Sequence, residues 1–101
     1  MFVIEAMNGP FDGKRWPFES DISIGRDAAS VQAVVSTDRT VSRTHAHISA
    51  SESGIALHDL DSSNGTFIDG RPIGQSAIIK PGQPFVVGRT MLRVLELPDA
   101  R

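Results

Sequence analysis

The sequence contains no cysteine, which excludes disulfides and thiolate metal sites and fits a reducing compartment without requiring one. It also lacks a basic surplus: 10 Lys and Arg stand against 12 Asp and Glu, for a formal charge of −2. The two signs are interspersed, with none of the basic stripes that nucleic-acid binders present. Met1 to Met7 has no basic stretch leading into a long apolar run, so no secretory signal is expected. No run approaches the roughly 20 apolar residues that span a bilayer. The expectation is a soluble, cytoplasmic protein that inserts in no membrane and binds no nucleic acid. At 101 residues it should form a single domain over residues 1–101.

What is present is a series of short apolar runs separated by Gly, Pro, Asn and Asp, the pattern of many strands joined by tight turns. Phe2-Val3-Ile4 stops at Asn8-Gly9-Pro10, and Asp12-Gly13 marks a second turn before Lys14 to Phe18. Pro17 confines that run to an edge strand or a bulge, and Trp16, Phe18 and Phe85 read as core or edge packing. Ile22 and Ile24 alternate with Ser23, and Ala46, Ile48 and Ala50 alternate with His45, His47 and Ser49, as half-buried strands do. Asp69-Gly70 is a hairpin turn whose glycine accepts positive φ. About ten such short strands suggest an all-β fold, a β-sandwich or a barrel. Val31, Val34 and Val35 behind Asp27-Ala28-Ala29 have helical spacing, which predicts one helical turn inside the long loop between Gly25 and Ser42.

Three clusters fall where strands give way to loops: Gly25-Arg26, Ser42-Arg43-Thr44-His45 and Ser62-Ser63-Asn64-Gly65-Thr66. They gather two arginines among many small hydrogen-bonding residues. An oxyanion with several acceptor oxygens suits such a set, because arginine offers a planar fork while hydroxyls and loop amides complete the shell. Asn64-Gly65 could enter the left-handed region and turn backbone amides into an anion-binding nest.

The ordered trio Gly-Arg, Ser-x-x-His and Ser-x-Asn-Gly-Thr, with Asp59-Leu60 before the last member and Phe67 after it, resembles the forkhead-associated (FHA) domain. The resemblance implies an all-β sandwich of about ten to eleven short, mostly antiparallel strands with its recognition loops at one end, which recognises phosphothreonine through arginine. The likeness runs from about Met1 to Leu97. It implies that Arg26 and Ser42 contact the phosphate, with Arg43 and Ser63 in support, and that Asn64 holds the ligand backbone just after the phosphothreonine. Gly25, His45, Gly65 and Thr66 would shape the loops. The partner would be a threonine-phosphorylated protein, with a Ser/Thr kinase acting upstream and no cofactor or metal involved. Two departures stand out. Asp69 occupies a place where the family often has Asn, and the loop from Arg26 to Ser42 is longer than usual. The first threonine is Thr37, so no phosphothreonine ahead of the first strand is expected within this sequence.

One alternative keeps the fold and drops the ligand, a scaffold that binds partners without phosphate; an intact Arg26 and Ser42, which such a scaffold would not need, argue against it. Two enzymatic readings also compete. His45 and His47 share a strand face at i and i+2, and Glu52 or His58 could complete a cupin-like metal site. Against it, no glycine precedes the first histidine as the cupin pattern wants, and no histidine follows His58. A hydrolase built on Ser42, His45 and Asp59 would need a nucleophile beside its base, yet no Gly-x-Ser-x-Gly elbow occurs. The expectation is therefore no catalytic residue and no metal ligand.

Overall fold

A computed structural model of the chain describes residues 1–98. Alternation of apolar and polar residues builds eleven strands: β1 (Phe2–Ala6), β2 (Arg15–Phe18), β3 (Asp21–Gly25), β4 (Ala33–Val34), β5 (Ala46–Ser51), β6 (Gly54–Asp59), β7 (Thr66–Ile68), β8 (Arg71–Pro72), β9 (Ser76–Ile79), β10 (Phe85–Val87) and β11 (Thr90–Glu96). They form two sheets, ordered β2-β1-β11-β10-β7-β8 and β4-β3-β5-β6-β9. Every pairing is antiparallel except β3 with β4. Of the two architectures that the strand pattern left open, this is the β-sandwich, as the motif trio implied.

The period of two decides which side chains enter the core. Ile4, Phe85, Val87, Leu92 and Val94 from one sheet meet Ile24, Ala46, Ile48 and Leu57 from the other, all fully buried. Burying each large aliphatic or aromatic side chain contributes about 1.5–3 kcal/mol. Trp16 and Phe18 reach this core from β2, an edge strand with one ladder, which is where a residue without an N–H such as Pro17 is tolerated. Asp69 and Gly70 have φ of 51° and 77° between the paired residues Ile68 and Arg71, the two left-handed positions of a type I′ hairpin.

The helical turn expected near Val31 is confined to Asp27–Val31, and a strand follows where the spacing of the valines suggested helix. One hydrogen-bonded turn does form, Val31 N–H to the Asp27 carbonyl at 3.1 Å, with Asp27 Oδ1 accepting from Ala29 N–H and Oδ2 from the Ser30 hydroxyl. Beyond it Val31, Ala33 and Val35 are buried while Gln32 is exposed. That alternation has strand period, and Ala33–Val34 pairs in parallel with β3. The edge of β3 outweighs the local helical spacing because it satisfies the backbone while burying the valines.

The pairings also gather the loops at one end. Ile24 and Asp59 both lie opposite Ala46, so the end of β3, the start of β5 and the end of β6 coincide. In the other sheet Thr66 lies opposite Val87, and Val87 opposite Thr90. His45 Nε2 and the Gly65 carbonyl, 2.8 Å apart, join the two sets.

Candidate functional site

Gly25 ends β3 where its backbone runs against the Ser42–Thr44 segment. A Cβ at this position would overlap the Arg43 carbonyl, so only glycine permits the approach. The two segments are stitched together: Arg26 N–H donates to Ser42 O at 3.0 Å, Asp27 N–H to Arg43 O at 3.3 Å and His45 N–H to Ile24 O at 2.8 Å. Arg26 thereby stands beside Ser42, 16 positions away in sequence. Its Nε donates to Val41 O at 3.0 Å, which fixes the guanidinium plane and leaves both terminal nitrogens as donors. Arg43 is exposed. Its charge and that of Arg26 both reach Asp27, whose carboxyl is lowered first by the Ser30 hydroxyl and the Ala29 N–H and then by these arginines.

Ser42 is linked to the third cluster through its side chain. Ser63 N–H donates to Ser42 Oγ at 3.0 Å, so the hydroxyl hydrogen is free to donate elsewhere. Its own N–H donates to Nδ1 of His45 at 3.0 Å. An Nδ1 that accepts leaves the proton on Nε2, and Nε2–H donates to the Gly65 carbonyl at 2.8 Å. His45 is fully buried, with each ring nitrogen holding one recognition loop.

That arrangement is incompatible with both enzymatic alternatives. A histidine whose two nitrogens bond the main chain has none left for a metal, and Nδ1 of its neighbour His47 lies 2.8 Å from the Ser23 hydroxyl. His45 meets the amide of Ser42 rather than its hydroxyl, so it cannot take a proton from that oxygen. The Asp59 carboxylate in turn receives Ser62 and Thr66 instead of His45.

Asp59 is the site residue whose role sequence reasoning missed. Oδ1 accepts from the hydroxyls of Ser62 at 2.6 Å and Thr66 at 2.8 Å, and Oδ2 from Ser62 N–H at 3.1 Å. Ser62 Oγ then accepts from Gly65 N–H at 2.9 Å, closing the loop that carries Ser63 and Asn64. A serine three residues after an aspartate is a side-chain-to-backbone turn signal, and it was available in the sequence. Of the pair Asn64-Gly65 expected to enter the left-handed region, Gly65 does so and Asn64 does not. Asp61 takes positive φ in its place, because Asp59 sets the bends and leaves Asn64 Nδ2 to donate to Thr40 O at 2.8 Å.

A second aspartate performs the same task on the other side. Asp38 Oδ1 accepts from the N–H and hydroxyl of Thr40, and Oδ2 from Arg89 N–H at 2.9 Å and the Thr90 hydroxyl at 2.7 Å. At both aspartates burial pushes the carboxyl up, but the hydroxyl and amide donors outweigh it and hold it below the ordinary value. A folded-state pKa below the unfolded one adds stability above the unfolded pKa and loses it as pH falls through the folded one. Asp59→Asn should therefore melt lower than wild type at neutral pH. Between about pH 5 and pH 3 it should lose less further stability than wild type does. Thermal melts across that range check this, and parallel curves for the two proteins would contradict it.

Two sheets that hold donor-rich loops in place at one end, with the only histidine of the site locked into the scaffold, define a binding module. The chain belongs to the FHA domain family, whose model matches residues 22–88. No curated protein sequence matches the chain. Among solved structures it is similar to the FHA domain of CT664 protein from Chlamydia trachomatis, at 24% identity and a TM-score of 0.87, covering 96% of this chain and 98% of that one. It is also similar to an FHA domain from a structural and functional analysis of phosphothreonine-dependent FHA domain interactions, at 26% identity and TM-score 0.81, covering 96% and 97%. A third is the FhaA FHA domain complexed with the intracellular domain of Rv3910, at 26% identity and TM-score 0.78, covering 93% and 99%. FHA domains are phosphoprotein-recognition modules and not enzymes.

Proposed function

We propose that this chain recruits threonine-phosphorylated proteins by binding the phosphate between Arg26 and Ser42. The reading rests on one observation: the Arg26 guanidinium keeps both terminal nitrogens as unused donors near a Ser42 hydroxyl that already accepts from Ser63 N–H. Three oxygens of a phosphate can accept from these groups. Arg43 and Ser63 flank them as supporting contacts. The Asn64 side chain, tied down through Nδ2, keeps its carbonyl oxygen for the ligand backbone beyond the phosphothreonine. Gly25, His45, Gly65 and Thr66 hold the loops. The ligand is supplied by a Ser/Thr kinase, and a cytoplasmic setting suits that supply.

The test is a titration with one peptide in four forms. Phosphothreonine should bind, whereas the unmodified and aspartate forms should not. A carboxylate offers one charge and a planar pair of oxygens against roughly −1.5 to −2 and three oxygens. Phosphoserine should bind more weakly, by about fourfold if the lost methyl is worth its buried area of about 0.8 kcal/mol. Equal affinity for the phosphothreonine and aspartate peptides would sink the proposal, as would equal binding of the unmodified form.

A further inference from the structure

Each sheet has two edges, and three of the four are guarded against pairing with another chain. β2 carries Pro17, β8 carries Pro72 beside Arg71, and β4 is two residues long. Proline, charge and shortness are the ordinary protections of an edge strand. β9, Ser76-Ala77-Ile78-Ile79, has none of them. It is four residues long, uncharged and free of proline, and its Ile78 is 76% exposed. A lone exposed isoleucine is ordinary, but on an unguarded edge it marks a strand ready to pair.

The β6 ladder decides which backbone groups of β9 are open. Asp59 N–H donates to Gln75 O at 2.9 Å, one step beyond the His58–Ser76 pair. Bonded and non-bonded pairs alternate along an antiparallel ladder, so Ala77 and Ile79 bond β6 while the N–H and C=O of Ser76 and Ile78 point away from it. The next residue of that outward set is already occupied: Lys80 N–H donates to Gln83 Oε1 at 2.9 Å, and Lys80 O accepts from Gln83 N–H at 3.0 Å. On the other side Gly74, with φ of 73°, has left the extended conformation. That leaves Ser76 and Ile78 to offer the open groups of this edge.

We infer that β9 pairs antiparallel with β9 of a second copy of this chain, in the register Ser76 to Ile78, Ala77 to Ala77 and Ile78 to Ser76. The register is two-fold symmetric, as an isologous contact requires, and each open group on either strand finds its partner. Centring the pair on Ile78 would set Ser76 against the occupied Lys80, and centring it on Ser76 would set Ile78 against the non-extended Gly74. An edge whose open groups satisfy one another in one symmetric register is complementary to itself, which selects a second copy over a foreign strand. Charge agrees, because the two Lys80 side chains fall at opposite ends of the pairing and no like charges stand directly opposite. Diagonal neighbours across such a pair are about 7–8 Å apart, within reach of long side chains, which brings the two exposed Ile78 side chains together on one face. β9 starts at the recognition end, where Ser76 lies opposite His58 beside Asp59. Antiparallel pairing therefore points the two recognition ends in opposite directions, one toward each of two ligands, whatever those loops bind.

The experiment is sedimentation equilibrium of the whole chain from about 10 μM to about 1 mM, since a contact this short belongs to the weak class below about 1,200 Å². The mean mass should rise from one chain toward two. Ser76→Pro removes an outward N–H that β6 does not use, and Ile78→Lys charges the edge. Each should stay at the mass of one chain throughout and melt close to wild type. The chain has no cysteine of its own, so single cysteines can report the register. With oxidised glutathione as the oxidant, Ala77→Cys should form a disulfide-linked dimer, because its two Cα atoms lie about 4.5 Å apart in a non-hydrogen-bonded pair. Ser76→Cys, at a more exposed position, should cross-link about tenfold more slowly, because its two thiols sit diagonally. A mass of one chain across the whole series overturns the dimer, and a mass beyond two chains overturns the two-fold contact. A dimer that persists in either edge variant overturns the assignment to β9. Faster cross-linking at Ser76 than at Ala77 overturns the register.

Discussion

Replacing Arg26 by alanine should weaken phosphothreonine-peptide binding by about one to two decades and leave the fold intact. A hydrogen bond to a charged group contributes about 1.5–3 kcal/mol, and each 1.4 kcal/mol is tenfold in affinity. The upper end applies here because the guanidinium is already oriented. Its Nε is spent on Val41 O, and its backbone N–H on Ser42 O, so little freedom remains to be lost when a phosphate arrives. The side chain is exposed and fills no core space, which is why stability should move little. Arg26→Lys should recover only part of the affinity. An ammonium carries the charge but has neither the fork nor an Nε to anchor on Val41. Calorimetry placing Arg26→Ala within twofold of wild type would refute the role given to Arg26, whatever the peptide used.

The parts of this fold written in local pattern were legible in the sequence, and the parts written in distant contacts were not. Alternation exposed the core faces of β3 and β5, and Asp69-Gly70 announced its hairpin, because period two and type I′ geometry are properties of a few adjacent residues. Strand β4 was misread because its partner is β3, and the helical spacing of three valines is the only local signal. The motif trio pointed to Arg26, Ser42 and Asn64, but not to the reason they meet. Gly25 allows Arg26 to approach Ser42 only because Arg43's carbonyl lies where a Cβ would be, a fact of packing. Asp38 is more hidden still. Its bond to Arg89 crosses 51 positions, so the sequence showed an aspartate near a threonine and nothing of the clamp. Asp59 was half visible, named just ahead of the third cluster but not connected to the loop three residues on.

His45→Ala should lower both stability and peptide affinity, and it separates a scaffold histidine from a chemical one. The ring is fully buried and bonds Ser42 N–H and the Gly65 carbonyl. Alanine leaves both groups without a partner, and an unsatisfied buried group costs about 1–3 kcal/mol. Each kcal/mol lowers the melting temperature of a domain this size by about 4–8 °C. Affinity falls as well, because Ser42 and the Ser63–Gly65 loop lose the ring that spaces them. His45→Asn should restore part of the stability: its side-chain oxygen can accept from Ser42 N–H, but its amide is too short to reach Gly65. A metal ligand would behave differently, since its loss would strip a stoichiometric ion, and a general base would lose activity with stability nearly untouched. Melts and phosphopeptide titrations of both variants, with metal analysis of the wild type, decide among the three. An alanine variant as stable and as tight-binding as wild type would remove His45 from the scaffold. Stoichiometric metal lost on mutation would instead make the locked ring a ligand, and the two hydrogen bonds that assign its tautomer would have to be wrong.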